Sequence, residues 1–361
     1  MIERQCRNSS FEMLRIISMF GIVMGHLVGQ TELNVRCQGI TGYLVNFLGG
    51  SSRISVNLFL MIGCWFLINT QMTAKKVLRI YLPLHFYSIV ISLACFICYP
   101  GEVSVNQLLS GFFPFLRFSL WFLTTYIVLM FVQPFLNTLV YSLNEKQGEI
   151  LIIILFLINS FMSTILGFQD SFLSSVSWFV FIYLFIAIWK KKILEINKAR
   201  GMILLILAII MYGLMIGAKV IFQPSGNIVY RITSQYLADY KSIPNFCISL
   251  FIFTFFAQLQ WESSIINTAA KNILAVYIIH QVPAFFMILW NRILNIDSWE
   301  IDKYIPLKII MSAIIVYVIA SLIEQCRKLL IERYVVRLNV YERLCKLLEE
   351  NYFSKIRVII R

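Results

Sequence analysis

Three ionisable residues lie on one face of the first hydrophobic segment of this chain. Glu12 and Arg15 open an apolar run of helical length, and His26 follows Arg15 by eleven residues. Eleven residues of α-helix turn through about 1100°, so Arg15 and His26 share a face to within about 20° and lie roughly 16 Å apart along the axis. Such groups are costly in hydrocarbon, which predicts that this face meets protein or a water-filled cavity. In the alternative interpretation, Glu12 and Arg15 pair at the membrane interface and His26 only ends the segment.

Two further groups of side chains have spacings that suit chemistry. Lys76 and Arg79 lie one turn apart at the start of a later apolar segment. They are either topology anchors or a binding site for phosphates, which pair well with lysine and arginine. His280 lies in the middle of another apolar segment, one turn before Pro283. It could act at a hinge or line a cavity, and we favour the cavity.

The composition predicts the fold class. The chain has 361 residues, of which 59% are hydrophobic and only 14% are charged. In soluble domains about a quarter of the residues are charged. Apolar runs long enough to cross a bilayer recur from end to end. The sequence therefore predicts an all-α polytopic membrane protein with about ten transmembrane helices, at 11–29, 53–69, 78–99, 119–140, 150–168, 174–189, 202–222, 243–259, 272–291 and 305–324.

The positive residues predict the orientation of these helices. One side of the predicted topology carries 21 basic loop residues and the other side carries seven, which places both termini in the cytoplasm of a cell-membrane protein. The net charge of +13 then reflects topology and attraction to anionic lipid, and it is not evidence of nucleic-acid binding. Residues 325–361 read as a basic amphipathic tail at the cytoplasmic leaflet, after a transmembrane domain over 1–324.

Two polar segments face outward in this topology. Residues 30–52 are predicted to form a loop that contributes to an acceptor site. Residues 223–242 interleave tyrosines with hydrogen-bonding side chains, which suits sugar binding and a membrane-interfacial loop equally. The sequence contains no Cys/His grouping with the spacing of a metal site, so no metal is expected.

These features together resemble the acyltransferase-3 family of integral membrane acyltransferases, which O-acylate cell-surface glycans. The resemblance covers about residues 7–324. Arg15 and His26 match the arginine–ten residues–histidine pattern of the family's first helix. Glu12 matches the acidic residue that precedes this pattern, and Lys76 and Arg79 match the basic pair of the third helix. Trp121 matches the tryptophan that opens a middle helix, and Tyr277 and His280 match the tyrosine–two residues–histidine near the C-terminal end.

The resemblance implies the transfer of an acyl group, often acetyl from acetyl-CoA, to a sugar hydroxyl of a glycan or lipid-linked glycan. A hydroxyl is a poor nucleophile until its proton is removed, and a histidine that titrates near neutrality is a natural base. Arg15 and Glu12 would complete the catalytic face, and Lys76 and Arg79 would bind the donor. One departure concerns the second helix, where Gly63-Cys64 replaces the Ser-Gly that is usual in the family.

Two other classes of protein are compatible with the composition. A glycan flippase or transporter would typically show inverted repeats or broken helices with intramembrane carboxylates. The predicted spans contain no acidic residue besides Glu12 and Glu324 near their ends, which argues against coupling to protons through acids. A non-catalytic assembly or sensor protein would have no use for the stripe of Arg15 and His26.

Overall fold

The computed structural model of the chain describes residues 8–68, 70–166, 172–332 and 339–359. Over these ranges the regular elements are helices and no strand is found, which confirms the all-α prediction. The α-helices up to residue 327 are α1 Ser9–Gln30, α2 Leu33–Arg36, α3 Gly39–Leu67, α4 Ala74–Cys98, α5 Val105–Phe112, α6 Trp121–Ser142, α7 Glu145–Phe156, α8 Met162–Leu166, α9 Phe172–Glu195, α10 Lys198–Phe222, α11 Ile228–Ala238, α12 Ile243–Ala257, α13 Ser264–Ala269, α14 Ile273–Gln281, α15 Pro283–Met287 and α16 Ile305–Arg327.

Six helices in the described ranges are long and apolar enough to cross a membrane. Two bent helix pairs raise the number of possible spans to eight, so the predicted count of ten is not confirmed. The span predicted at 150–168 corresponds to α7, a π-helical turn at Leu157–Phe161 and the short α8. The span predicted at 174–189 lies within α9, and neither segment is among the six.

Helices α1 and α3 pack closely along their length because small residues face each other where they cross. A Cβ atom on Gly25 would lie 2.2 Å from Cβ of Ser52, and one on Gly49 would lie 2.6 Å from the Val28 side chain. The prediction of a loop over 30–52 is therefore wrong, since α3 already begins at Gly39. Glycine and serine suggested a loop, but in membranes they let two helix backbones approach.

Polar contacts to a distant segment fix the start of α1. Asn8 caps the helix by accepting a hydrogen bond from the Ser10 N–H, and its amide donates to the Leu259 carbonyl at 2.9 Å. The Ser9 hydroxyl donates to the Asn267 side chain at 2.9 Å. These bonds join α1 to the segment that leads into α13 and α14.

A sharp bend follows α14. Val282 has an extended ψ of 122°, and the helical segment that ends at Gln281 makes an angle of 77° with the one that starts at Pro283. Proline has no N–H to continue the helix and disfavours helical geometry in the residue before it. A bend is therefore present at Pro283, and α14 ends directly after His280 and Gln281.

The tail packs against the helical bundle. It contains helices at Asn339–Leu348 and Ser354–Ile359, joined by a π-helical turn. Phe353 is buried and stacks on Phe131 of α6 with ring centroids 5.8 Å apart. Glu349 accepts a hydrogen bond from the Ala74 N–H at the start of α4 at 3.0 Å. Arg333 and Arg337, two of the basic residues of the tail, lie outside the described residues.

Candidate functional site

The charged residues at the start of α1 form an ion pair. Nη1 of Arg15 lies 2.7 Å from Oε1 of Glu12, whose side chain is only 3% exposed. The guanidinium group of Arg15 also lies over the Phe66 ring, 5.2 Å from its centroid. Pairing lowers the energy of holding these charges within a mostly apolar helix, as the simpler sequence interpretation expected.

His26 meets two residues of α14 that are distant in the sequence. Its Nδ1 atom lies 3.1 Å from Nε2 of His280 and 2.7 Å from the side-chain amide of Gln281. His280 is fully buried, and its Nδ1 donates a hydrogen bond to the Val276 carbonyl at 2.6 Å. The bend at Val282 places both residues in the last turn of their helix, where they face α1.

This network determines which nitrogen of His26 carries the proton. A carbonyl can only accept, so Nδ1 of His280 is protonated and, in a neutral ring, Nε2 is an acceptor. A second proton would place an unpaired charge on a fully buried side chain, which is costly. If Nε2 of His280 is the acceptor, Nδ1 of His26 is the donor. The amide nitrogen Nε2 of Gln281 lies 2.7 Å from Nδ1 of His26, and this tautomer requires the amide to be flipped so that its oxygen accepts, because amide oxygen and nitrogen are assigned from such networks. The lone pair of His26 is then on Nε2.

His26 lines a cavity of about 120 Å³ that has mainly apolar walls. Other side chains on its wall are Arg53, Phe59, Trp121, Phe122 and Tyr277. Two of these were predicted as site residues, Trp121 and Tyr277, and the structure brings both to His26. His280 lies behind His26 and is not among the residues that line the cavity, so it supports the cavity wall without forming it.

A chain of contacts holds the cavity wall in place. Trp121 stacks on Tyr240 with ring centroids 5.3 Å apart. The Tyr240 carbonyl accepts a hydrogen bond from the Asn57 amide at 2.6 Å, and Asn57 in turn accepts one from the indole N–H of Trp178 at 3.0 Å. Trp121 is half-buried, and these contacts fix the position of its ring on the cavity wall.

Lys76 and Arg79 are not brought to this cavity. Lys76 donates from Nζ to the Gln71 carbonyl at 2.6 Å, and Arg79 is exposed on the first turns of α4. The two cations therefore remain near each other at the start of a spanning helix, where an anion can reach them. Arg15 is likewise absent from the cavity wall, since it lies about three turns of α1 before His26.

Two residues of the site were not predicted from the sequence. Gln281 directly follows His280, and Arg53 was counted only as an outer basic residue. The available signal for Gln281 was a polar side chain beside an intramembrane histidine. Arg53 gave no such signal, because the sequence placed it at the end of a span, whereas α3 extends well beyond it on both sides.

The departure from the family pattern in α3 has a local explanation. A Cβ atom on Gly63 would lie 2.9 Å from the ring of Tyr126, which occupies the space that a serine would need. The neighbouring Cys64 is fully buried. Gly63 therefore serves the packing of α3 against α6 in this protein.

The family of the protein follows from a comparison with known domains. Residues 8–324 match the family model of the acyltransferase domain Acyl_transf_3. The match covers most of the chain, so the protein belongs to the acyltransferase-3 family, and it is a membrane acyltransferase. No curated protein and no solved structure matches the chain.

The family assignment also bears on the two alternative classes. Broken helices, which are typical of transporters, do occur here as the two bent pairs. The break at Val282 adjoins a histidine and a glutamine, whereas the break between Ala238 and Ile243 contains Asp239. The acyltransferase domain favours catalysis over transport and over a purely structural role.

Proposed function

We propose that this protein transfers an acyl group, in the simplest case acetyl from acetyl-CoA, to a hydroxyl of a cell-surface or exported polysaccharide. The observation that carries the proposal is the environment of His26. Its Nδ1 is held by His280 and Gln281, and the ring lines a cavity among apolar side chains. No described residue makes a hydrogen bond to Nε2.

The chemistry requires a base and a place for the acyl carbon. The acceptor hydroxyl gives its proton to Nε2 of His26 while its oxygen attacks the thioester carbonyl. The C–S bond then breaks, and the leaving thiolate takes the proton back from the imidazolium to give the free thiol. The hydrogen bond from Nδ1 to His280 becomes stronger while His26 is charged, since bonds to charged groups are about twice as strong as neutral ones. The apolar walls exclude water, which would otherwise hydrolyse the thioester.

The donor would reach this cavity from the cytoplasmic half of the protein. With the N-terminus inside, as the charge pattern predicts, Arg15 lies toward the cytoplasm and His26 toward the outer half of α1. A long acyl-CoA arm between them would bring the thioester to His26. The phosphates would remain near Lys76 and Arg79, which explains why these cations lie away from the histidine. Arg15 is then a binding residue for the donor and does not touch the reacting atoms.

The test of the proposed function is the variant His26→Ala. Removal of a general base typically costs about 10² to 10⁴ in rate, so the glycan ester content of cells should fall nearly to background. His85→Ala is the matched control, since the His85 ring contacts Tyr81 of its own helix and lies on neither α1 nor α14. Protein abundance in the membrane should be normal for both variants.

The pH dependence provides a second measurement. A general base must be deprotonated to act, so the wild-type rate should fall as the pH is lowered, and His26→Gln should lose this limb of the profile. Wild-type ester levels in His26→Ala would remove the histidine from the mechanism.

A further inference from the structure

A second cavity adjoins the histidine cavity. It has a volume of about 150 Å³ and lies between α1, α3, α10 and α11. Gly25, Ser52 and Arg53 line both cavities, so the two share a wall within one residue of His26. On the charge pattern of the sequence, this cavity lies in the outer half of the protein, opposite the expected entry of the donor.

The walls of the second cavity carry two cations. Arg53 and Lys219 both line it, and no aspartate or glutamate is among its lining residues in the described part of the chain. Neither cation forms an ion pair or a hydrogen bond with another described residue. Arg53 is exposed and Lys219 is half-buried, and an anion bound between the two side chains would pair with both charges.

Neutral polar groups complete the cavity. Asn46 is only 2% exposed, and its amide nitrogen donates to the carbonyls of Asn34 and Gly42 at 3.0 and 2.9 Å. These two bonds fix the orientation of the amide, but its Oδ1 atom is buried and has no partner. The hydroxyl of Ser234 is also buried without a partner. Buried polar atoms are normally satisfied, and both of these belong to residues that line the second cavity, so a ligand with several hydroxyls could satisfy them once the side chains turn toward it.

From these observations we propose that the second cavity binds the acceptor, and that the acceptor is a sugar with an anionic substituent, either a carboxylate or a phosphate. The anionic group would lie between Arg53 and Lys219, and ring hydroxyls would pair with Asn46 and Ser234. A neighbouring hydroxyl then points across the shared wall at Gly25 toward His26. The role of this cavity as an acceptor site rests on the proposed acyl transfer, but binding of the anionic sugar can be measured without turnover.

The test uses the purified protein in detergent and three acceptor probes. Methyl glucuronoside carries a carboxylate, glucose 1-phosphate carries a phosphate, and methyl glucoside is neutral. Binding of each probe is measured by saturation-transfer NMR and by thermal stabilisation. We expect the wild type to bind one or both charged probes more tightly than the neutral one, and the preferred charged probe identifies the anionic group.

Lys219→Met is the decisive variant, because Lys219 lines the second cavity and not the histidine cavity. It should weaken binding of the charged probe by about 10- to 100-fold, the usual effect of losing a hydrogen bond to a charged group. Binding of the neutral probe should not change, and Lys219→Arg should restore most of the affinity. Lys303→Met is the matched control, since Lys303 is exposed and lines neither cavity.

His26→Ala separates the two proposals. It should abolish transfer and leave binding of the charged probe intact, which would support the acceptor site. Equal affinity of Lys219→Met and wild type for the charged probe would overturn the inference. So would a wild type that binds the neutral probe best or binds none of the three. A protein that binds the charged probe through Lys219 but transfers no acyl group would refute the proposed function alone.

Discussion

The hydrogen bond between His26 and His280 can be tested by removing it without removing the base. In His280→Asn the amide can still donate to the Val276 carbonyl. It is too short to replace the contact between Nε2 of His280 and Nδ1 of His26, which are 3.1 Å apart. In the transition state His26 is an imidazolium, so the lost bond is one to a charged group and is worth about 1.5–3 kcal/mol. Because about 1.4 kcal/mol corresponds to a factor of ten, kcat should fall by about 10- to 150-fold.

The longer variant His280→Gln is the matched control. Its amide oxygen extends to about the position of the histidine Nε2 and can accept from Nδ1 of His26, so it should recover more of kcat than His280→Asn. The assay is acyl transfer by the purified protein at saturating donor and acceptor, with the melting temperature as a check on folding. The Michaelis constants should change little, because His280 does not line the cavity. Wild-type kcat in His280→Asn, or equal losses in both variants, would refute the orienting role.

Three further predictions concern the donor site, the packing of α3 and the topology. Lys76→Ala and Arg79→Ala each remove a pairing with the phosphates of the acyl-CoA. Each should raise the Michaelis constant for this donor by the equivalent of roughly 1–3 kcal/mol. Unchanged Michaelis constants in both variants would show that the pair is only a topology anchor. Gly63→Ala should destabilise the protein by about 1–3 kcal/mol through overpacking against the facing tyrosine ring, measured as a lower melting temperature, and an unchanged melting temperature would show that the ring moves freely. Reporter fusions after residue 195 should read cytoplasmic and fusions after residue 235 should read external, and an external reading at 195 would overturn the predicted orientation.

Several features of this protein were determined by the sequence alone. Hydropathy and helical periodicity are local properties, so the all-α membrane class followed from composition and run length. The spacing of Arg15 and His26 on one helix face also needs only the geometry of a single helix. Together with the motifs in their order along the chain, it was sufficient to predict the family.

The site itself was decided by the tertiary structure. His26 and His280 are 254 residues apart in the sequence, and they meet because α14 packs against α1. The glycines and serines before residue 53 predicted a loop, because their low hydropathy does not reveal the helix that they pack against. The position of Arg53 between two cavities likewise depends on how α1 and α3 cross. Local pattern can place a residue on a helix face, but the packing of the other helices determines which side chain it meets.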